Sequence, residues 1–136
     1  MLKKILLLHL IILLFTFKVN AQESFFSEYT YEEVLVQAKA LKKPFFIDFT
    51  ASWCLPCKLM EETVFQDYEV KKYTQNYFIA LQLNVDDFDA MILRSKYDIS
   101  SLPCILFFDE NGLLLGKEIG LQTGTNFLKI LQKYSN

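Results

Sequence analysis

Apolar and polar positions alternate along this chain in a way that predicts four helices and four strands behind an apolar leader. Apolar residues three and four positions apart are typical of a helix with one buried face. This spacing predicts helices over residues 27–42, 58–76 with a break near Gln66-Asp67, 89–97 and 125–134. Short apolar runs predict strands over 44–50, 78–86, 104–108 and 113–119, with the first two in the centre of a sheet.

Residues 1–21 have the pattern of a secretory signal peptide. Lys3 and Lys4 form a basic start, an apolar run follows over residues 5–17, and residues 19–21 offer small side chains for cleavage. An uncleaved membrane anchor is the alternative, but a spanning helix needs about 20 apolar residues and this run is shorter. We therefore expect cleavage near Ala21 and one domain over residues 22–136.

Composition excludes several classes of partner for this domain. The whole chain has a net charge of −2, and removal of Lys3, Lys4 and Lys18 leaves 11 basic and 16 acidic side chains, a net charge of −5. No basic stripe is present, so we expect no nucleic-acid partner. The thirteen phenylalanines indicate a dense core without a cofactor-binding motif, so we expect no cofactor.

Cys54 and Cys57 stand where a predicted strand ends and a predicted helix begins. Cys54 therefore lies at a helix N-terminus, where unpaired N–H groups and the helix dipole favour a thiolate. Pro56 is compatible with the first helical turn, where no amide hydrogen is needed. Two thiols at this spacing can close a small disulfide ring, and the strand–helix context favours a redox-active pair.

Two other interpretations of the pair are weaker. A zinc site usually has four Cys or His ligands, whereas this chain has three cysteines and one histidine, His9, which lies in the leader. A purely structural disulfide would stabilise the fold little, because a two-residue loop removes little entropy from the unfolded chain. The redox-active interpretation is therefore preferred, and we expect no metal site.

Asp48 is a carboxylate inside the otherwise apolar strand 44–50. A buried carboxylate is costly unless it has a partner or a proton. The residues alone leave two placements open. Asp48 either lies at a strand edge and faces water, as most aspartates do, or it is buried with a raised pKa.

Two segments of the chain resemble the thioredoxin family. Asp48-Phe49-Thr50-Ala51-Ser52-Trp53-Cys54-Leu55-Pro56-Cys57-Lys58 resembles its active-site segment, and residues 97–108 resemble the segment that carries its cis-proline. Residues 58–70 are most similar to thioredoxin-like periplasmic proteins and to the C-terminal domain of the transmembrane thiol:disulfide interchange reductase. The resemblance covers about residues 28–134. It implies an α/β thioredoxin fold with a central mixed β-sheet flanked by helices on both faces.

This resemblance implies a catalytic role for three residues. Cys54 would attack a substrate disulfide as a thiolate, and Cys57 would resolve the mixed disulfide. Asp48 would take the proton from Cys57, directly or through water. Gln82 stands where many thioredoxins have a lysine that contacts the buried aspartate, so this chain departs from the pattern that would give Asp48 a charged partner.

The resemblance also implies a substrate-docking surface formed by Trp53, Leu102 and Pro103. Pro103 would be cis, which turns the backbone of Leu102 toward an extended substrate segment. The implied function is a secreted or periplasmic thiol–disulfide oxidoreductase that reduces protein disulfides and receives electrons from a membrane donor. We expect a monomer. A disulfide donor of the same fold stays open as an alternative, as does a non-catalytic binding or metal-carrying module.

Cys104 departs from the family, which more often has threonine or another non-thiol residue after the cis-proline. Strand alternation predicts that Cys104 points away from the active site faced by Pro103, under the sheet or into the core. A disulfide needs a Cα separation under about 7 Å and converging Cβ vectors. This geometry favours a reduced thiol that packs as a small hydrophobe. Exchange with Cys54 or Cys57 is the alternative.

Overall fold

A computed structural model of the protein describes residues 24–135, which form a four-stranded mixed sheet and five helices. The elements in chain order are α1 (Tyr31–Leu41), β1 (Phe45–Thr50), α2 (Leu55–Thr63), α3 (Tyr68–Tyr77), β2 (Ile79–Asn84), α4 (Phe88–Lys96), β3 (Cys104–Phe108), β4 (Leu114–Ile119) and α5 (Gly124–Tyr134). The strand order is β2-β1-β3-β4, with β1 and β2 parallel and the other neighbours antiparallel. The predicted α/β class with a mixed sheet is confirmed.

Side-chain caps determine where two of the helices begin. Thr30 and Glu33 form a capping box, because Thr30 Oγ1 accepts from the Glu33 amide at 3.3 Å and Glu33 Oε2 accepts from the Thr30 amide at 2.8 Å. Helix α1 therefore begins at residue 31, later than the predicted residue 27. Asp67 Oδ1 accepts from the amides of Glu69 and Val70, which starts α3 and confirms the predicted break after α2.

Strand β1 separates two buried clusters, one on each face of the sheet. Phe45, Ile47 and Phe49 face a cluster that contains residues of α1 and α4. Phe46 faces the other cluster, which contains residues of α2, α3 and α5. Helices therefore cover both faces, and Asp48 of β1 is buried between them.

Strand β2 lies at an edge of the described sheet, so the prediction of a central strand over residues 78–86 is wrong. Parallel pairing with β1 occupies one of its sides. On its other side the backbone amide and hydroxyl of Ser27 donate to the Ala80 carbonyl oxygen at 2.8 Å and 2.9 Å. Phe25 and Phe26 beside this contact both pack on Phe65, with ring centroids 5.0 Å away. A short N-terminal segment thus protects part of this edge.

Helical spacing also predicts Tyr68 and Ile92 as inward-facing residues, but both side chains are exposed. The buried residues of α3 are Val70 and Thr74, and those of α4 are Ala90 and Leu93. In each of these short helices, some apolar residues therefore lie outside the buried face. Among residues 24–135, no helix is both long enough and apolar enough to cross a bilayer. The predicted signal peptide lies outside the described residues.

Candidate redox site

Cys54 and Cys57 form a disulfide at the junction of β1 and α2. Cys54 is the N-cap residue of α2, and its Sγ accepts a hydrogen bond from the Cys57 amide at 3.2 Å. The two Sγ atoms are 2.02 Å apart and the two Cα atoms 5.3 Å apart. Pro56 lies in the first turn of α2, as the sequence predicts. An N-terminal sulfur that accepts a backbone hydrogen bond is well placed to be a thiolate when the pair is reduced.

Of the two cysteines, only Cys54 borders the surface groove beside the disulfide. Both side chains are largely buried, with 4% of Cys54 and 2% of Cys57 exposed. Only Cys54 lines the groove of about 340 Å³ beside the disulfide. The groove is lined by Trp53, Cys54, Leu55, Pro56, Val85, Arg94, Ile99, Ser100, Ser101 and Leu102. A docked molecule can therefore reach Cys54 before it reaches Cys57.

The structure separates the three predicted docking residues. Trp53 is 67% exposed, lines the groove and donates from Nε1 to Asp86 Oδ2 at 3.0 Å. Leu102 also lines the groove, and the Leu102–Pro103 peptide bond is cis as predicted. Pro103 is buried, does not line the groove, and accepts a hydrogen bond from the Gly120 amide at 2.8 Å. Trp53 and Leu102 thus form the accessible walls, whereas Pro103 lies beneath them.

Asp48 is buried, with 2% of its surface exposed, so the water-facing placement is excluded. Its Oδ2 accepts a hydrogen bond from Gln82 Nε2 at 3.0 Å, and its Oδ1 has no hydrogen-bond partner among residues 24–135. Burial raises the pKa of Asp48 to about 7, since loss of hydration outweighs the Gln82 hydrogen bond and the charge of Glu61 acts in the same direction as burial. Asp48 therefore exchanges its proton near neutral pH.

Glu61 is a further residue of the candidate site that the sequence did not point to. Gln82 Nε2 donates to Glu61 Oε1 at 3.0 Å as well as to Asp48 Oδ2. The amide at the position of the family's lysine thus links two carboxylates instead of neutralising one. Glu61 lies four residues after Cys57, so both side chains project from one face of α2. The four-residue spacing from Cys57 is the sequence signal that could have pointed to Glu61. No sequence signal indicates that Gln82 of β2 links Glu61 to Asp48.

Cys104 is a free, fully buried cysteine at the start of β3. Its predicted burial is confirmed; it pairs with Phe49 in the sheet register and does not line the groove. It nevertheless belongs to the same buried cluster as Cys54 and Cys57, because the redox pair is itself packed on that face of the sheet. Burial raises the pKa of Cys104 to about 11; the Lys117 charge opposes this shift and the Asp48 charge adds to it.

The arrangement is suited to thiol–disulfide exchange. One sulfur borders a groove, the second is buried and bonded to it, and a buried carboxyl group with an unpaired oxygen is linked through Gln82 to Glu61 of α2. Within residues 24–135, no group of three or more His, Cys, Asp or Glu side chains is placed to hold a metal ion.

Known proteins are similar to this chain in sequence and in fold. The chain is 35% identical over 117 residues to the thiol:disulfide interchange protein DsbD of Colwellia psychrerythraea, which covers 81% of the chain and 18% of that protein. It is 40% identical over 82 residues to DsbD of Escherichia coli, which covers 59% of the chain and 14% of that protein. The chain thus spans less than a fifth of the length of these relatives.

A solved thioredoxin from Thermus thermophilus superposes with a TM-score of 0.70 at 25% identity, covering 77% of this chain and 83% of that one. The family model for the thioredoxin-like domain matches residues 31–135, which include all of the elements described above. This chain therefore belongs to the thioredoxin-like family, with Cys54 and Cys57 as its CXXC pair.

Proposed function

We propose that this protein reduces disulfide bonds of secreted or periplasmic proteins, with Cys54 as the attacking thiol and Cys57 as the resolving thiol. The observation that carries the assignment is that Cys54, and not Cys57, lines the groove. A substrate disulfide lying along Trp53 and Leu102 would meet the Cys54 sulfur first. Pro103 would support this surface from below, and the backbone of Leu102 would pair with the substrate segment.

In the reduced protein, the Cys54 thiolate attacks one sulfur of the substrate disulfide. The substrate S–S bond breaks, a mixed disulfide forms with Cys54, and the other substrate sulfur leaves as a thiolate that takes up a proton. The Cys57 thiol then gives its proton to Asp48, directly or through a water molecule, and attacks Cys54 Sγ. The mixed disulfide breaks and releases the second substrate thiolate, which is protonated in turn. The substrate gains two electrons and two protons, and Cys54–Cys57 becomes the disulfide.

The carboxylates behind the pair support the reductive direction. Strong disulfide donors owe their oxidising power to a stabilised reduced form. Asp48 and Glu61 share one amide donor beneath α2, and negative charge there opposes a thiolate on the neighbouring cysteines. A site with this charge stabilises the reduced form less than a neutral site would, which favours electron transfer to the substrate. Relatives named as thiol:disulfide interchange proteins are consistent with this chemistry.

Localisation and the electron source are part of the same proposal. The signal-peptide pattern of residues 1–21 supports export. A reductase in an oxidising compartment has to be reduced again after each cycle. A membrane electron donor, as the resemblance to the transmembrane interchange reductase implies, would supply those electrons to a monomeric protein.

The reduction potential of the Cys54–Cys57 pair, measured against glutathione, tests the direction. We expect a value near the thioredoxin potential of about −270 mV, whereas a value near −120 mV would assign the protein as a disulfide donor. Cys54→Ser should abolish insulin reduction, and Cys57→Ser should accumulate mixed disulfides through Cys54. Cys104→Ser is the matched control, because it removes the third thiol and should leave the Cys54–Cys57 potential unchanged. Mixed disulfides that form through Cys57 would refute the assigned roles.

A further inference from the structure

The redox groove continues along α4 into an adjoining hollow. That hollow has a volume of about 310 Å³ and is lined by Met91, Arg94, Ser95, Asp98 and Ile99. Arg94 and Ile99 line both spaces, so they mark where the groove beside Cys54 meets the hollow. An extended chain docked with its cysteine at Cys54 can therefore place a neighbouring side chain next to Arg94.

Arg94 is held in place at this junction without using its full donor capacity. It lies in the last turn of α4, is exposed, and donates from Nε to the Ile99 carbonyl oxygen at 3.2 Å. Within residues 24–135, the single ion pair closer than 4 Å joins Lys133 and Glu118, so Arg94 is not paired with a carboxylate. The Nε hydrogen bond orients the guanidinium and leaves its Nη groups available to a ligand.

The charge of the groove fits one class of substrate side chain. Of the described residues that line the space beside Cys54, Arg94 alone carries a charge. Asp98 lines the adjoining hollow but makes no ion pair with Arg94. A guanidinium recognises a carboxylate through paired hydrogen bonds, which a neutral amide or a cation cannot reproduce.

We propose that Arg94 makes this protein selective for substrates that carry an aspartate or glutamate close to the reactive cysteine. This inference rests on the proposed use of the groove for substrate docking and adds the chemical class of the preferred substrate. The carboxylate enters at the Arg94 end of the groove while the substrate sulfur reacts at Cys54. Arg94 acts as a specificity residue and takes no part in the electron transfer.

Matched peptides test this selectivity. Peptides with a single disulfide, differing only by Glu or Gln at positions flanking one cysteine, are mixed with the pre-reduced protein, and single-turnover rates are measured at low salt. We expect the best-placed Glu peptide to react about threefold faster than its Gln counterpart, the scale of an exposed charge pair. In Arg94→Gln this ratio should fall to one, and in Arg94→Lys it should be partly restored.

Two further variants separate a specific contact from general charge. Lys96→Gln removes the same charge from the same turn of α4, but Lys96 lies outside both spaces and contacts the Tyr97 ring. It should leave the Glu-to-Gln ratio unchanged. Asp98→Asn removes a carboxylate that lines the hollow together with Arg94 and should increase the ratio. Salt near 1 M should reduce the wild-type ratio, because it screens exposed charges beyond about 3 Å.

The exchange is also run in reverse, with oxidised protein and the same peptides as thiols. A ratio that depends on Arg94 in either direction supports the selectivity, even if the potential shows that the protein is an oxidant and not a reductase. Equal rates for Glu and Gln peptides in both directions would overturn the inference while leaving the reductase proposal intact. An equal loss of the ratio in Lys96→Gln and Arg94→Gln would also overturn it.

Discussion

Asp48 keeps its proton to unusually high pH because, once buried, its carboxylate receives only the amide of Gln82 in place of water. Its pKa of about 7 in the folded protein exceeds the ordinary value of 3.8, so the native state binds this proton more tightly than the unfolded chain does. Asp48 therefore imposes no penalty below about pH 4. Its destabilising effect grows as the pH rises from about 4 to about 7 and then stays constant.

Asp48→Asn should consequently become more stable relative to the wild type as the pH rises. We expect almost no difference in unfolding free energy near pH 4 and a difference of roughly 2 to 4 kcal/mol at pH 8, from the size of the pKa shift. Denaturant unfolding at several pH values measures it. Glu62→Gln, which changes an exposed carboxylate on α2, is the control. A difference in unfolding free energy between wild type and Asp48→Asn that does not vary with pH would contradict the raised pKa.

Asp48→Asn should also slow the resolving step, in which Cys57 attacks the mixed disulfide.

Cys104 should behave as an inert core residue. Its burial and its pKa of about 11 predict no alkylation of the folded protein at pH 8, followed by rapid alkylation after denaturation. Cys104→Ala should lower the unfolding free energy by about 1 kcal/mol, because it leaves a small cavity, and should keep full reductase activity. Peptide mapping of air-oxidised monomer should show only the Cys54–Cys57 link. A disulfide to Cys104 would instead make it a third redox thiol.

The sequence predicts the placement of these residues only where it depends on neighbouring positions in the chain. Strand alternation and the apolar run around Asp48 indicate burial, and a helix start at Cys54 follows from the neighbouring pattern. Gln82 lies 34 positions after Asp48 and 21 positions after Glu61, so no local sequence pattern contains the hydrogen bonds that link them. The role proposed for Arg94 has no sequence signal either, because it depends on the fold placing the end of α4 at the groove beside Cys54.

At the scale of elements, local signals predicted the break between α2 and α3 but placed the start of α1 at residue 27, four residues too early. The capping box at Thr30 and the cap at Asp67 are properties of adjacent residues, and both define helix starts in the structure. The position of β2 at a sheet edge depends on which strands pair, which its own apolar sequence does not encode. Tyr68 and Ile92 show a similar limit, because an apolar residue near the border of a helix face is buried only if a neighbour covers it.

The packing of β4 against α5 leads to a prediction at this scale. Gly116 faces Tyr134, and a Cβ atom at position 116 would overlap the phenol ring. Tyr134 stacks on Phe107 with ring centroids 4.4 Å apart and donates to Glu118 at 2.8 Å. Gly116→Ala should therefore lower the unfolding free energy by about 1 to 3 kcal/mol through overpacking. Thermal or denaturant unfolding measures the loss.

Leu113→Ala, at an exposed position of the neighbouring hairpin, serves as the control and should cost much less. If Gly116→Ala were as stable as the wild type, the close contact between β4 and α5 would have to be wrong.

At the scale of the whole molecule, the redox pair and the N-terminal aromatic residues lie on opposite faces of the sheet. The cysteine pair belongs to the buried cluster on one face, whereas Phe25 and Phe26 pack against the cluster on the other. Phe26→Ala should lower the unfolding free energy by about 1 to 3 kcal/mol, since a half-buried ring is lost. The Cys54–Cys57 potential should stay at its parental value, because no residue near the pair changes.

Chemical denaturation and a glutathione redox titration measure the two quantities separately. Tyr29→Ala, at a more exposed ring close by in sequence, is the control for stability. A shift in potential with Phe26→Ala would mean that the two clusters are coupled through β1.

Trp53 gives the molecule an optical reporter of its own. It is the chain's only tryptophan, it stands next to Cys54, and the Asp86 hydrogen bond holds its ring at the groove wall. All indole fluorescence of the protein therefore comes from one known point at the site of exchange. A partner that covers the ring removes it from water and shifts its emission to shorter wavelength, so docking can be timed by stopped-flow fluorescence on the unlabelled, unmodified protein.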